Sequence, residues 1–246
     1  MKMLLTSDWH ADAKTLGRSR FGDVDRAVRQ TVDAAIERRV DCWCFLGDLC
    51  DPDSGSAAFR SVELAVSTAM ELSRAGIINI WVAGNHDVIE DGSGDTTLSP
   101  LRPLYMEGSF TKLFERPGHH MLAPGYPEGV TVHALPYTAT SHPYSPAGEF
   151  DGVDLRRGRH VVLAHLMVRG VEPGEETNEM PRGRDVVFPR DLFPTDMSCV
   201  QLANGHYHRQ QVHEVSGRRP VLIPGAAARF TFGEGQNLPG YMIVEV

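Results

Sequence analysis

Five short clusters of metal-competent side chains recur along the 246 residues. They are Asp8-Trp9-His10, Gly47-Asp48-Leu49-Cys50-Asp51, Gly84-Asn85-His86-Asp87, His165 and Gly205-His206-Tyr207-His208. Carboxylate, imidazole and amide oxygen together suit Mn²⁺, Fe or Zn²⁺ better than a thiolate set would. Residues i and i+2 leaving a strand point to one side, so Asp8 with His10, and His206 with His208, can each clamp one ion. The glycine before the later clusters lets the backbone turn sharply toward such ions. Taken singly, an Asp-x-His pair or a lone histidine is an ordinary hydrogen-bonding group. Their joint succession is what predicts a two-metal centre.

The elements that must position these clusters can be read from hydrophobic periodicity. Lys2–Thr6, Cys42–Leu46 and Ile77–Val82 read as buried strands. Asp25–Arg39 and Ala57–Arg74 carry apolar residues at helical spacing, with Ser54 or Ser56 as a cap for the second. This βαβαβ opening predicts a parallel sheet with right-handed crossovers. Val130–Leu135, His160–Ala164, Cys199–Ala203, Gln211–Val215, Val221–Ile223 and Tyr241–Val246 are strand-like, with a hairpin turn at Gly217-Arg218. Glu90–Gly129 and Gly170–Asp196 read as irregular. Each metal-competent cluster directly follows a predicted strand. In open α/β sheets ligands bind beyond the carboxyl ends of the strands, so the five clusters are expected to converge on one edge. No linker or repeat divides the chain, which reads as one domain, 1–246, with two sheets.

Composition sets the outer bounds. With 41% hydrophobic and 23% charged residues the chain is an ordinary globular one, neither disordered nor collagen-like. No apolar stretch is long enough for a membrane span, and Lys2, Thr6 and Asp8 break up any signal-peptide core. A cytoplasmic protein without membrane contact is expected. Cys42, Cys44, Cys50 and Cys199 have neither zinc-ribbon nor disulfide-framework spacing, so free thiols are expected. The net charge of −8 excludes broad electrostatic wrapping of nucleic acid. It leaves open a metal enzyme acting on phosphates.

The succession D-x-H, GD-x-x-D, GNH[DE], H, GH-x-H resembles the calcineurin-like metallophosphoesterase superfamily. The resemblance implies an αββα fold, a two-sheet β-sandwich flanked by helices, with two metal ions at one rim. It implies Asp8, His10, Asp48 and His208 around one ion and Asp48, Asn85, His165 and His206 around the other, so that Asp48 bridges. It places His86 near the leaving group, with Asp51 orienting it. Ser7-Asp8-Trp9-His10, Gly47-Asp48-Leu49-Cys50-Asp51, Leu135-Pro136-Tyr137 and Gly205-His206-Tyr207-His208-Arg209 are similar to the SbcD-type DNA repair nucleases. So is Gly225-Ala226-Ala227-Ala228-Arg229-Phe230-Thr231-Phe232-Gly233-Glu234, which resembles their SGSP…SFGE segment. The likeness runs over nearly the whole chain and is weakest in Glu90–Gly129. Those nucleases continue into a capping domain and a segment that docks an SbcC-type ATPase. This sequence stops at Val246 after its last predicted strand, so the resemblance does not carry over the cap or the ATPase partner. Protein Ser/Thr phosphatases carry GD-x-x-DRG and GNHE, whereas here Pro52-Asp53 follows Asp51 and Asp87 follows His86.

The activity implied is dinuclear metal-dependent phosphodiester hydrolysis. Two divalent ions, Mn²⁺ first and Fe or Zn²⁺ next, sit about 3.5–4 Å apart in such sites and generate a bridging hydroxide at neutral pH. His86 is then the general acid and Asp51 raises its pKa and fixes its tautomer. The centre's net charge of about +1 matches a diester's single negative charge. A nuclease comes first; a compact phosphodiesterase for 2′,3′- or 3′,5′-cyclic nucleotides is the alternative. Arg209, next to the last predicted ligand, is a candidate phosphate contact. So are the runs Arg156-Arg157-Arg159, Arg182-Arg184 and Arg218-Arg219. Trp9 and Tyr207 either pack behind the cluster or stack on a nucleobase. His119, His120, His133, His142, His160 and His213 receive no catalytic role.

Overall fold

The computed structural model describes all residues except 107, 123–129, 140, 157, 169, 173, 175–186, 189–199 and 217. Arg157, Arg182, Arg184, Cys199 and Gly217 therefore lie outside the described residues. The chain opens with strand β1 (Lys2–Thr6), a small hairpin of β2 (Lys14–Thr15) and β3 (Arg18–Ser19), and helix α1 (Phe21–Glu37). Next come β4 (Cys42–Leu46), α2 (Ser56–Arg74), β5 (Ile78–Val82), β6 (Thr111–Phe114), β7 (Gly118–Met121), β8 (Val130–Leu135) and β9 (Arg159–Ala164). The rest holds β10 (Met167–Val168), β11 (Val187–Phe188), β12 (Val200–Asn204), β13 (Gln211–His213), β14 (Val221–Ile223) and β15 (Met242–Glu245).

The first sheet has the order β15-β1-β4-β5-β6, parallel throughout except for β15. The second has the order β13-β14-β12-β9-β8-β7, with antiparallel strands only at its two edges. Alternation along each strand divides its side chains between two layers. Met3, Leu5, Cys42, Cys44, Leu46, Ile80 and Val82 face the other sheet, meeting Val132, Ala134, Val161, Leu163 and Ala203. Leu4, Trp43, Phe45 and Trp81 face outward and are covered by Val24, Val28 and Val32 of α1 and Leu64, Ala65 and Leu72 of α2. Burial on both faces explains why β4 is an unbroken apolar run, Cys-Trp-Cys-Phe-Leu. Among the described residues both long helices cover the first sheet. The second sheet's outer face is covered by Phe150, Leu155, Leu166, Val168 and Val171 from the connecting segments. Cys42, Cys44 and Cys50 are buried free thiols, as expected.

Several sequence expectations need adjustment: the N-cap of α2 is Gly55, with no side-chain cap from Ser54 or Ser56, and the segment expected to be irregular over 170–196 contains β11. Helix α1 starts at Phe21 rather than Asp25, because Phe21 and Val24 already pack into the helix–sheet core. It ends where Arg39 turns into the left-handed region (φ 51°). The segment expected to be irregular, Glu90–Gly129, contains β6 and β7. Thr111–Phe114 shows no alternation because all four residues are buried, and it is ordered by pairing with β5. No described helix is long and apolar enough to cross a membrane.

Candidate metal centre

The register puts strand ends in line. Thr6 of β1 pairs with Phe45 of β4, Leu46 with Val82 of β5, and Ala164 of β9 with both Leu135 of β8 and Asn204 of β12. The loops after these ends all open on one edge of the sandwich. They are stitched together by backbone bonds: Asp8 N–H to Gly47 O (2.9 Å), His10 N–H to Asp48 O (3.1 Å) and Gly205 N–H to Ala164 O (2.9 Å). His165 Nδ1 lies 2.6 Å from Leu46 O and so ties the second sheet to the first.

The backbone there is strained. Asp8 (φ 50°), His10 (37°), Asp48 (64°) and His206 (76°) all occupy the left-handed region, which costs about 1–3 kcal/mol for a non-glycine residue. Such strain persists where surrounding structure over-determines it, typically at functional sites. Gly205 is required for a different reason. A Cβ there would stand 2.0 Å from Leu46 O and 2.3 Å from Ser7 Oγ.

All seven predicted ligands meet at this edge. Asp8, His10 and His208 form one group of mutually close donor atoms, and Asp48, His165 and His206 form another. His10 Nε2 faces His208 Nε2 at 3.1 Å. Asn85 Oδ1 joins the second group, 3.0 Å from His165 Nε2 and 3.2 Å from His206 Nδ1. Asp48 reaches both: its Oδ2 is 3.3 Å from His165 Nε2 and 3.7 Å from His10 Nε2. Its Oδ1 accepts the His86 N–H at 2.9 Å. His86 also lies close enough to His10 and Asp48 to form a third group with them.

The donor set fits divalent cations on its own chemistry. Asp8 Oδ1 and His206 Nε2 are buried with no hydrogen-bond partner. Two imidazole nitrogens facing each other at 3.1 Å cannot both carry a proton, whereas a cation satisfies both lone pairs. Burial holds the His10 pKa well below its ordinary value, helped by the neighbouring His208, and burial with His165 lowers His206 to about 3. Neutral imidazole is the ligating form. Burial raises Asp8 to about 6. Burial also opposes charge on Asp48, yet His165 and His86 hold its pKa well below the usual carboxylate range. The centre therefore keeps a buried anion, Asp48, beside the neutral nitrogens of His10 and His206; burial opposes charge on His165, but Asp48 and then Asp8 raise its pKa to about 9.

His86 and Asp51 stand on the open side of this cluster, 41% and 55% exposed. His86 Nδ1 is 2.7 Å from Asp51 Oδ1. Burial works against charge on His86, but Asp48 and Asp51 together raise its pKa to about 10. Arg209 is exposed and pairs with Glu172, Nη1 to Oε2 2.7 Å.

The aromatic candidates lie behind the cluster. Trp9 is 0% exposed, packed edge-on against Trp43, Phe45 and Trp81, and donates Nε1–H to Thr6 Oγ1 at 3.0 Å. Tyr207 is 1% exposed, and its hydroxyl accepts Val168 N–H (2.9 Å) and donates to Val168 O (3.1 Å). Both rings take the packing role, and neither is open to a nucleobase. Of the basic runs, Arg156 and Arg159 precede the bulk of β9, and Arg218 and Arg219 precede β14. Those are the amino ends of parallel strands; the six residues of β9 separate its ends by roughly 17 Å and the three of β14 by roughly 7 Å. These four arginines thus sit at the edge away from the metal-competent loops.

Three residues to which sequence reasoning gave no role support the centre. Ser7 Oγ donates to the Asp8 carboxylate. Asp87, 0% exposed, accepts from backbone N–H groups of two ligand loops. Glu234 Oε1 lies 2.5 Å from His208 Nδ1. Asp87 was visible only as the last letter of GNHD, and Glu234 only as the last letter of the tail segment. Neither has a local pattern announcing a role toward residues so far away.

Comparison with known proteins agrees with this architecture. Residues 1–196 match the calcineurin-like phosphoesterase family. The SbcD component of the nuclease SbcCD from Escherichia coli strain K12 is 22% identical over 95% of this chain and 62% of its own length. The chain thus spans less than two thirds of that curated relative. A dimetal phosphatase from Danio rerio superposes with a TM-score of 0.59 at 14% identity, covering 92% of this chain and 87% of that one. TT1561 of Thermus thermophilus superposes with a TM-score of 0.53, also at 14% identity, over 92% and 89%. The family match covers residues 1–196, most of the chain: the chain belongs to the calcineurin-like phosphoesterases, hydrolases of phosphoric esters.

Proposed function

We propose that this chain is a dinuclear phosphodiesterase, similar in its site to the SbcD-type nucleases. One ion would be held by Asp8, His10, Asp48 and His208, and the other by Asp48, Asn85, His165 and His206. The observation that carries this reading is the position of Asp48, whose Oδ2 lies within 3.7 Å of His10 on one side and 3.3 Å of His165 on the other. Mn²⁺ is the first choice for an oxygen and nitrogen set without thiolate.

When bound, two such ions supply Lewis acidity and a nucleophile active at neutral pH. The chain's own residues do the rest. His86, protonated through neutral pH and half exposed beside Asp48, donates from its ring to the leaving oxygen. Asp51 accepts at Nδ1, so the proton transferred comes from Nε2. The buried wall of Trp9 and Tyr207 excludes water from behind the ligands. Arg209, released from Glu172, would contact a substrate phosphate at the rim.

A nuclease reading predicts that Mn²⁺-loaded protein cleaves single- or double-stranded oligonucleotides, while an Asp48→Asn control does not. The net charge of −8 favours a second reading, a phosphodiesterase for small substrates. Hydrolysis of bis-aryl phosphates and cyclic nucleotides with oligonucleotides left intact would select that reading and discard the first.

A further inference from the structure

Glu234 is 2% exposed and uses both carboxylate oxygens. Oε1 is 2.5 Å from His208 Nδ1. Oε2 accepts the backbone N–H groups of Phe230 and Thr231. The Phe230 ring packs edge-on against His10 and His208, with centroids 5.4 and 5.7 Å away. The same segment is held from the other side by Thr15 Oγ1, which donates to Phe230 O at 2.7 Å. One buried carboxylate therefore joins a chain segment after β14 to the ring of a predicted ligand.

We propose that Glu234 is a positioning residue: it holds the His208 ring with its proton on Nδ1, leaving the Nε2 lone pair turned toward Asp8 and His10. The inference rests on the two-metal reading above. A carboxylate only accepts, so the nitrogen it meets must carry the hydrogen. Nε2, 3.1 Å from His10 Nε2, then carries the lone pair that a ligand nitrogen needs. A carboxylate behind a ligand imidazole fixes its tautomer and orientation and raises its basicity. The corresponding partner of His165 is a backbone carbonyl, Leu46 O, which orients the ring without adding charge.

Glutamine cannot replace this group. With its NH₂ toward His208, it donates to Nδ1 and drives the ring proton to Nε2, the ligating nitrogen. With its NH₂ toward Phe230 and Thr231, it sets donor against donor. Glu234→Gln is therefore expected to lower Mn²⁺ affinity about 10–100-fold at one of two sites and leave the other unchanged. Thr15→Val, which releases the same segment without touching His208, is expected to keep wild-type affinity at both.

The test uses the whole chain in two measurements. Calorimetric titration with Mn²⁺ reads both affinities in wild type, Glu234→Gln and Thr15→Val. Long-range ¹H–¹⁵N correlation of the histidine rings in the metal-free wild type reads the His208 tautomer and needs no variant to fold. Two Mn²⁺ sites in wild type, one weakened in Glu234→Gln, and an Nδ1–H tautomer are the results expected. An Nε2–H tautomer, unchanged affinities in folded Glu234→Gln, or an equal loss in Thr15→Val would overturn the role of Glu234 alone. Wild-type protein that takes up no Mn²⁺ would overturn the two-metal reading, and this proposal with it.

Discussion

The Asp87 carboxylate accepts the backbone N–H of Asp48 through Oδ2 at 2.9 Å, so one metal-competent loop is built on the next. The same side chain accepts from Leu49 N–H (2.9 Å), Gly84 N–H (2.8 Å) and Thr97 Oγ1–H (2.6 Å). Asp87→Ala leaves these buried donors unpaired. A single unsatisfied buried donor costs about 1–3 kcal/mol, and the expected loss is about 3 kcal/mol or more. For a chain of this size each kcal/mol lowers Tm by roughly 2–4 °C. Denaturant melts of the variant check this; an unchanged midpoint would show that the loops hold without Asp87.

His86 and Asp51 are expected to act as one unit. His86→Ala should lower the rate about 10²–10⁴-fold, the range of a lost general acid. Asp51→Asn should cost less, and the double variant should be no slower than His86→Ala, because the two effects pass through one ring. Mn²⁺ stoichiometry should stay at two, since the predicted ligands are intact. Additive losses in the double variant would separate the two residues.

Metal removal should weaken the fold as well as the activity. Asp8 and Asp48 are buried, and Asp8 Oδ1 and His206 Nε2 have no partner of their own. Protein stripped with a chelator is expected to melt lower than protein in Mn²⁺. At about 1,000-fold excess over Kd, one bound ion adds about 4 kcal/mol. Asp48→Asn, which removes the shared ligand, should abolish most of that shift. Calorimetric scans with and without Mn²⁺ would expose the opposite result.

A pH dependence independent of the metal loops follows from a histidine ladder. His133 contacts His119, Nδ1 to Nδ1 2.7 Å, and His160, Nε2 to Nδ1 2.8 Å, with the Phe150 ring 5.1 Å away. Burial, and then the neighbouring His119 and His160, lower the His133 pKa from 6.5 to about 3. Between those values the unfolded chain binds the proton and the native state does not, so stability rises with pH there. The contribution is fully present above pH 6.5 and is lost as pH falls toward 3, at up to about 1.4 kcal/mol per pH unit. Urea melts across this window should show the fall, and His133→Gln should flatten it. An unchanged slope in the variant would assign the acid sensitivity elsewhere.

The candidate ligands were legible because their types are chemically scarce and each follows a strand whose apolar run is a local pattern. Asp8 and His10, or His206 and His208, needed only the alternation of one short segment. The parallel opening was equally local, since β1, β4 and β5 alternate with two helices of clear periodicity. Local patterns could not say what lies behind a loop. Trp9 and Tyr207 stand between candidate ligands in sequence, yet strand packing turns both rings inward. Arg159 and Arg219 form basic runs like any other, and only the strand direction removes them from the site.

Residue types and local periodicity were enough to name the side chains that can bind cations and to put them at the carboxyl ends of successive strands. Only folding brings His206 to Asn85 across 121 residues, stands Asp48 between two groups and carries Glu234 to His208. The reason is geometric. Periodicity and turn chemistry act within a few residues, whereas these meetings depend on strand order, register and the packing of one sheet on the other.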